Sequence, residues 1–198
     1  QAVRAAGPTH GARVYVRGGD YYLAEPLRFT AEDSGSESNP VVWLAYKDEE
    51  PRLFGGTRLT GFEAGENGVW QCDLAAQGLA GKRFRQLFFN GVRLELARWP
   101  NKGEGDLPGG GWTFIAGAVE DEPKRSFKYL GDRPAGWASP GAAEVSIWPN
   151  YNWWQTIAGI AELDTEARRI RLEKELPYTI EPGRRFFFRN VFEELDAD

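Results

Sequence analysis

Short apolar runs separated by turns dominate the chain, and few stretches have helical spacing. Residues 13–17 alternate polar and apolar side chains, which predicts a strand with one buried face. Residues 41–46 form a continuous apolar run, which predicts a strand covered on both faces. The polar loop of residues 32–40 separates the two runs. This pattern predicts a mainly β protein.

The opening of the chain has the spacing of a solenoid. Its strands are very short, and tight turns such as Gly18-Gly19-Asp20 separate them. In a solenoid such strands stack coil on coil, and the first coil needs a cap over its open end. Residues 2–6 are strong helix formers followed by Gly7 and Pro8, so we expect them to form that capping helix.

The middle of the chain carries hairpin signals instead. Asn90-Gly91 lies between the strand-like runs 84–89 and 92–98, and this pair favours a two-residue turn with positive φ. A second hairpin is predicted between residues 157–163 and 169–172. Hairpins build antiparallel sheets, so we expect an inserted antiparallel β-sandwich in this region.

Three stretches resemble one group of proteins. Residues 14–36 (VYVRGGDYYLAEPLRFTAEDSGS) resemble the first coils of right-handed parallel β-helix proteins. Residues 87–101 (LFFNGVRLELARWPN) resemble a motif of their inserted domain, and residues 184–197 (RRFFFRNVFEELDA) resemble the point of re-entry into the helix. Together they are similar to bacterial glycoside hydrolases of families 120 and 141.

The resemblance implies a fold and a division into parts. We expect a mainly β chain that begins a right-handed parallel β-helix, with an N-terminal capping helix and an inserted antiparallel β-sandwich. Residues 1–56 would form the cap and first coils, residues 57–183 the insert, and residues 184–198 a truncated re-entry into the helix. The remainder of the β-helix, or self-association, would cover the open coil end.

The resemblance also implies a longer, secreted or periplasmic enzyme. The chain begins with Gln1 and contains no Met, so we expect it to be processed or trimmed. In such enzymes the catalytic carboxylates lie on later coils, so this chain is expected to lack them. By position alone, the candidates for proton transfer are Asp33, Glu37, Glu193, Glu194 and Asp196. Turn and helix-end roles are the stronger interpretation of these residues, and the catalytic residues stay unassigned.

Composition excludes several other classes of function. A net charge of -5 and a pI near 5.1 argue against a nucleic-acid partner. No apolar run is long enough to span a bilayer. The single histidine, His10, and the single cysteine, Cys72, argue against a His- or Cys-based metal site. We expect neither a metal nor a cofactor.

Aromatic and amide side chains are the candidate sugar contacts. Residues 148–155 (WPNYNWWQ) contain three Trp, one Tyr and three side-chain amides. Aromatic rings stack on the apolar faces of sugars, and amides bond to their hydroxyl groups. The alternative for each Trp is a place in the core of the inserted sheet. The predicted substrate-binding residues are Arg98, Trp99, Asn101, Trp148, Asn150, Tyr151, Asn152, Trp153 and Trp154.

Two functions follow from these observations. The first is the N-terminal fragment of a glycoside hydrolase acting on polysaccharide or oligosaccharide, with the inserted domain lining the substrate cleft. The second is a non-catalytic carbohydrate-binding or structural β-helix module, because solenoids of this kind host enzymes and binding proteins alike.

Overall fold

The structure is a computed structural model that describes residues 2–6, 11–104, 110–138 and 140–196. The chain divides into two compact units, Gln1–Lys82 and Arg83–Asp198. His10 lies outside the described residues. None of the described helices combines the length and apolar character needed to cross a bilayer.

The first unit consists of short paired strands and one short helix. Its elements are α1 (Ala2–Ala6), β1 (Ala12–Val16), β2 (Gly19–Tyr22), β3 (Val41–Ala45), β4 (Pro51–Phe54), β5 (Glu63–Ala64) and β6 (Trp70–Gln71). Strands β1 and β3 pair in parallel, as do β2 and β4, and β5 pairs antiparallel with β6. No residue that the structure describes in this unit is fully buried.

The second unit is a closed antiparallel barrel with additional short strands. Its strands are β7 (Phe88–Phe89), β8 (Val92–Arg93), β9 (Arg98–Trp99), β10 (Thr113–Ala118), β11 (Ser126–Tyr129), β12 (Glu144–Ile147), β13 (Thr156–Asp164), β14 (Arg169–Leu172) and β15 (Arg185–Arg189). Six of them form a ring in the order β10–β11–β14–β13–β12–β15, and β15 pairs again with β10.

Strand β15 closes the barrel because both of its edges are paired. Along one edge it pairs with β12, where Phe186 lies opposite Ile147. Along the other edge its first half pairs with β10 and its second half with β9. The side chains of β15 alternate, so Phe186 and Phe188 point into the barrel and have no exposed surface. Arg185, Phe187 and Arg189 therefore lie on its outer face.

The core fills this barrel. Its members are apolar side chains from every strand of the ring, from the segments before β12 and β15, and from the residues after β15: Ile115, Phe127, Tyr129, Trp137, Ala143, Val145, Ile147, Ile160, Ile170, Leu172, Leu176, Ile180, Phe186, Phe188 and Val191. Aromatic rings meet edge to face inside it, as Phe127 and Phe186 do at 5.0 Å between centroids.

The expected fold class is wrong. In the described residues, parallel pairing is confined to two sheets of two strands each, and the largest sheet is a closed antiparallel barrel instead of a sandwich. Strands form at residues 12–16 and 41–45 as predicted, but Gly19 and Asp20 of the predicted turn begin strand β2. A local pattern of this kind does not specify how many strands stack. Val42 and Trp43 are exposed, so β3 is not covered on both faces as its apolar run predicted.

The expected capping helix and the expected re-entry are corrected as well. Helix α1 has five residues, and its recorded polar contacts are the ion pairs of Arg4 with Glu32 and Asp33, which do not make it a cap. The segment expected to re-enter a β-helix supplies β15, a strand of the barrel. The open coil end, and the self-association predicted through it, lose their structural basis. The boundaries at residues 56/57 and 183/184 stay a prediction.

Both predicted hairpins are confirmed. Strands β7 and β8 pair antiparallel around Asn90 and Gly91, whose φ angles are 49° and 79°. This is the positive-φ geometry that an Asn-Gly pair favours. Strands β13 and β14 pair around the turn at residues 165–168, and they are adjacent strands of the barrel.

Candidate functional site

The loop between β12 and β13 presents aromatic rings to solvent. Tyr151 and Trp153 stack with their ring centroids 5.4 Å apart and their planes 22° apart. Trp153 is 71% exposed and Tyr151 is 44% exposed. Trp154 meets Trp153 edge to face at 5.9 Å. Tyr151, Trp153 and Trp154, together with Tyr178, are called the aromatic platform below.

Tyr178 is a member of the platform that the sequence analysis missed. Its ring meets Tyr151 at 5.2 Å and Trp154 at 5.5 Å, both edge to face. Two core residues, Leu176 and Ile180, anchor the segment on either side of it. No periodic pattern around a single Tyr after Pro could have pointed to this position, because the contact joins segments far apart in the chain.

Hydrogen bonds fix the base of the platform. The Glu181 amide donates to the Pro149 carbonyl at 2.9 Å, and the Asn150 side-chain amide donates to the Glu181 carboxylate at 2.7 Å. At the other end of the loop, the Trp154 indole donates to the Thr156 hydroxyl at 3.2 Å. The rings are therefore held on a loop that is tied to the barrel at both ends.

Trp148 belongs to the packing of the barrel and not to the platform. It is only 9% exposed and meets the Trp112 ring edge to face at 4.9 Å. Trp99 is half-buried and packs against the core, with its ring 6.0 Å from Phe188. For these two residues the structure agrees with the core alternative that was left open for each Trp.

Arg98 lies over the Phe187 ring on the outer face of β15. Its guanidinium carbon is 3.7 Å from the ring centroid, and its Nε donates to the Pro100 carbonyl at 2.9 Å. A second bond runs from Nη2 to the carbonyl of Gly111. Burial, with a smaller contribution from the nearby charge of Arg189, lowers the pKa of Arg98 from its ordinary value.

A groove of about 360 Å³ runs beside Arg98 and Asn101. Its carboxylates all have partners. Glu95 pairs with Lys102, and Asp196 accepts a hydrogen bond from the Asn101 amide. Of the predicted site residues, Tyr151, Trp153 and Trp154 belong to the platform and Asn150 and Asn152 to its loop, Arg98 and Asn101 line the groove, and Trp99 and Trp148 pack in the barrel. Arg185 contacts the platform loop, with its Nη2 3.4 Å from the Asn152 carbonyl, and its guanidinium lies over Trp112, which the Arg98 guanidinium also approaches at 5.9 Å.

Glu194 is a buried carboxylate whose hydrogen bonds all go to residues that pack around it. It is 2% exposed, and Arg133 donates two hydrogen bonds to it at 2.7 and 2.9 Å. The Trp137 indole donates a third at 2.5 Å. These three bonds join Glu194 to residues about sixty positions away, so the geometry favours a structural clamp.

The remaining candidate carboxylates are also explained locally. Arg4 donates two hydrogen bonds to Asp33 and, with the Thr30 backbone amide, holds the pKa of Asp33 well below its usual range. Glu193 accepts a bond from the Ala138 amide, and Glu37 is exposed. Within the described ranges, no group of three His, Cys, Asp or Glu side chains could hold a metal ion.

Comparison with known proteins gives one structural likeness. Neither the family models nor the curated proteins contain a match to this chain. A solved structure titled "Glycoside hydrolase" matches with a TM-score of 0.69 and 22% sequence identity over 96% of this chain. The match covers 33% of that structure's own chain, so the present chain spans about a third of its length. The chain thus has a fold like that of part of a glycoside hydrolase.

Proposed function

We propose that this chain is the carbohydrate-binding part of a glycoside hydrolase and that the aromatic platform stacks on sugar rings. The observation that carries the proposal is the exposure of Trp153 and Tyr151, which stack on each other on a braced loop. Large aromatic side chains gain free energy by leaving water, so a fixed and exposed set of them favours a ligand with apolar faces. Sugar rings have such faces.

The polar side chains of the loop indicate which amide could bond to a sugar hydroxyl. The amides of Asn150 and Gln155 are already bonded to Glu181 and Ser146. Asn152 is exposed, and its side chain forms no hydrogen bond with the residues that the structure describes. Asn152 is therefore the amide that a sugar hydroxyl would reach, whereas Asn150 and Gln155 hold the loop in place.

We include hydrolysis in the proposal because of the likeness to glycoside hydrolases, and no catalytic residues are assigned. The support is the fold shared with a solved glycoside hydrolase and the resemblance of residues 87–101 to families 120 and 141. Secretion or export to the periplasm is proposed on the same resemblance. A non-catalytic binding module is the second candidate, and the clamped state of Glu194 favours it.

Binding to a panel of oligosaccharides, measured by isothermal titration calorimetry, tests the proposal. We expect saturable binding to at least one member. Trp153→Ala should weaken it by about tenfold, by analogy with nucleic-acid bases, whose stacking on an aromatic side chain contributes on the order of 1–3 kcal/mol. Trp70→Ala is the matched control, since Trp70 is 66% exposed but belongs to the other unit.

The outcomes separate the candidates. Binding that Trp153→Ala weakens and Trp70→Ala leaves unchanged supports the platform. Equal loss in both variants, or no binding by the folded protein to any member, contradicts it. Under this proposal the chain is part of a longer protein, and hydrolysis of the bound glycan by that protein would decide between an enzyme and a binding module.

A further inference from the structure

The outer face of β9 and β15 carries an unusual concentration of arginines. Arg185 and Arg189 point outward from β15, and Arg98 lies opposite Arg189 in the adjoining strand β9. The charges of Arg85 and Arg93 are also near enough to Arg189 to lower its pKa, after the larger effect of burial. This basic face stands out in a chain whose net charge is -5.

The carboxylates do not balance these charges. Glu144 lies 3.5 Å from Arg189, and both side chains are largely buried. Within the described part of the chain, neither Arg98 nor Arg185 forms an ion pair with a carboxylate. Of the groove carboxylates, Glu95 pairs with Lys102, Glu194 pairs with Arg133, and Asp196 accepts a hydrogen bond from the Asn101 amide. The guanidinium groups of Arg98 and Arg185 thus have no counter-charge among the residues that the structure describes.

Those two guanidinium groups lie beside the same indole ring. The Arg185 guanidinium carbon is 4.7 Å from the Trp112 centroid and 4.6 Å from the Trp148 centroid. The Arg98 guanidinium carbon is 5.9 Å from Trp112. Aromatic faces stabilise a cation and hold its plane, but they accept few of its N–H groups. Arg98, Arg185, Trp112, Trp148 and Phe187 are called the arginine–indole cluster below.

Arg185 has donors to spare. A guanidinium carries five N–H groups, and the bond recorded for Arg185 is the long one to the Asn152 carbonyl, at 3.4 Å. Its Nε is covered and has no hydrogen-bond partner among the described residues. A ligand cannot reach the covered Nε, so an arriving acceptor would bond to the N–H groups of Nη1 and Nη2. A planar oxyanion can accept two such bonds side by side.

We infer that the arginine–indole cluster binds an anionic group, a carboxylate or a sulfate, on a sugar that stacks on the aromatic platform, so that the ligand is an acidic glycan. The inference rests on the proposed function. Its geometric basis is Asn152, which belongs to the platform loop and contacts Arg185. A sugar on the platform would therefore have its charged group within reach of an uncompensated arginine.

The test compares acidic oligosaccharides with their neutral counterparts. Oligogalacturonate, oligoalginate and a glucuronate oligomer are each titrated into the protein, and their affinities are compared with those of their methyl esters. A sulfated galactan oligomer is compared in the same way with its desulfated form. We expect at least one acidic member to bind about tenfold more tightly than its neutral counterpart. The uronate and sulfate arms then distinguish the two anions. Equal affinities in every pair would overturn the inference.

Substitution locates the effect. Arg185→Gln should reduce the ratio of acidic to neutral affinity to about one, while Arg185→Lys should keep part of that ratio. Arg168→Gln is the matched control, because Arg168 is an exposed arginine of the same unit that pairs with Asp132. A preference that survives Arg185→Gln, or falls equally in Arg168→Gln, contradicts the assignment.

Two further measurements keep the outcomes separate. In the unaltered protein, raising the ionic strength from about 0.01 M to about 0.1 M should weaken binding of the acidic member alone. Single-stranded DNA that bound as tightly as the acidic glycan would overturn the inference in favour of unspecific attraction of anions. If Trp153→Ala leaves all binding unchanged, the proposed function fails; if only the acidic preference is missing, the inference alone fails.

Discussion

Inside the barrel, Phe186 and Phe188 have no exposed surface, whereas Trp153 in the loop between β12 and β13 is largely exposed. Both regions are built from aromatic rings in edge-to-face or stacked contact. The rings inside the barrel are held by the strand alternation of β15, and those of the platform by hydrogen bonds at the base of a loop. Packing explains the first set completely, and the second set has surface left for a ligand.

Removing an aromatic side chain from the barrel core should have the largest effect on stability. Phe186→Ala leaves a cavity between Phe127 and Phe188 and should reduce the free energy of unfolding by about 3–5 kcal/mol. Phe192→Ala is the matched control on the surface, where we expect a change below about 0.5 kcal/mol. Urea denaturation measures both. A similar loss in the two variants would contradict the assignment of the core.

The Glu194 clamp should have the next largest effect on stability. Glu194→Ala leaves Arg133 and the Trp137 indole without their acceptor, and should cost about 2–3 kcal/mol because three charge-assisted bonds disappear. Glu162→Ala breaks an exposed pair with Arg169 and should cost at most about 1 kcal/mol. Thermal unfolding distinguishes the two, and a negligible loss for Glu194→Ala would show that the clamp is unimportant.

Tyr178 should affect binding more than folding. Its ring supports both Tyr151 and Trp154, so Tyr178→Ala should weaken glycan binding by about threefold to tenfold with a change in unfolding free energy near 1 kcal/mol. Titration calorimetry and urea denaturation on the same sample give the two numbers. Unchanged affinity would remove Tyr178 from the platform.

The smallest expected effect is the acid response of the first unit. Arg4 lowers the pKa of Asp33 in the folded protein, so the contact stabilises the fold above the ordinary Asp pKa of about 4 and is lost as the pH falls toward the lowered value. NMR titration of the Asp33 carboxyl group should therefore show a midpoint below that of an ordinary Asp. Asp33→Asn should remove the ion pair that holds α1 through Arg4, whereas Glu37→Gln should leave this ion pair intact. An ordinary midpoint would contradict the ion pair.

Local features of the fold could be predicted from the sequence, and its closure could not. The Asn90-Gly91 turn and the β13–β14 hairpin follow from residue types close together in the chain. The pairing of β10 with β15 joins residues about seventy positions apart, and no local pattern specifies it. The predicted β-helix was wrong because the short strands of the first unit form two parallel pairs, and their local pattern does not specify how many strands stack.

The candidate site was predicted in part. The density of aromatic residues at 148–155 pointed to the right loop, but it did not separate buried Trp148 from exposed Trp153, because no alternation runs through a loop. Tyr178 and Arg185 were missed, since each joins the site through contacts with a distant segment. The clamp on Glu194 was equally invisible, because its partners lie about sixty residues away.

The indole N–H signals of the protein's eight tryptophans give the most direct test of the central claim, that the platform contacts sugar and the barrel does not. Titrating an oligosaccharide that the protein binds into the nitrogen-15 labelled protein should shift the Trp153 and Trp154 signals in a saturable way. The signal of the buried Trp137 should not move. Signals of Trp153 and Trp154 that stay in place while the glycan binds would contradict the account.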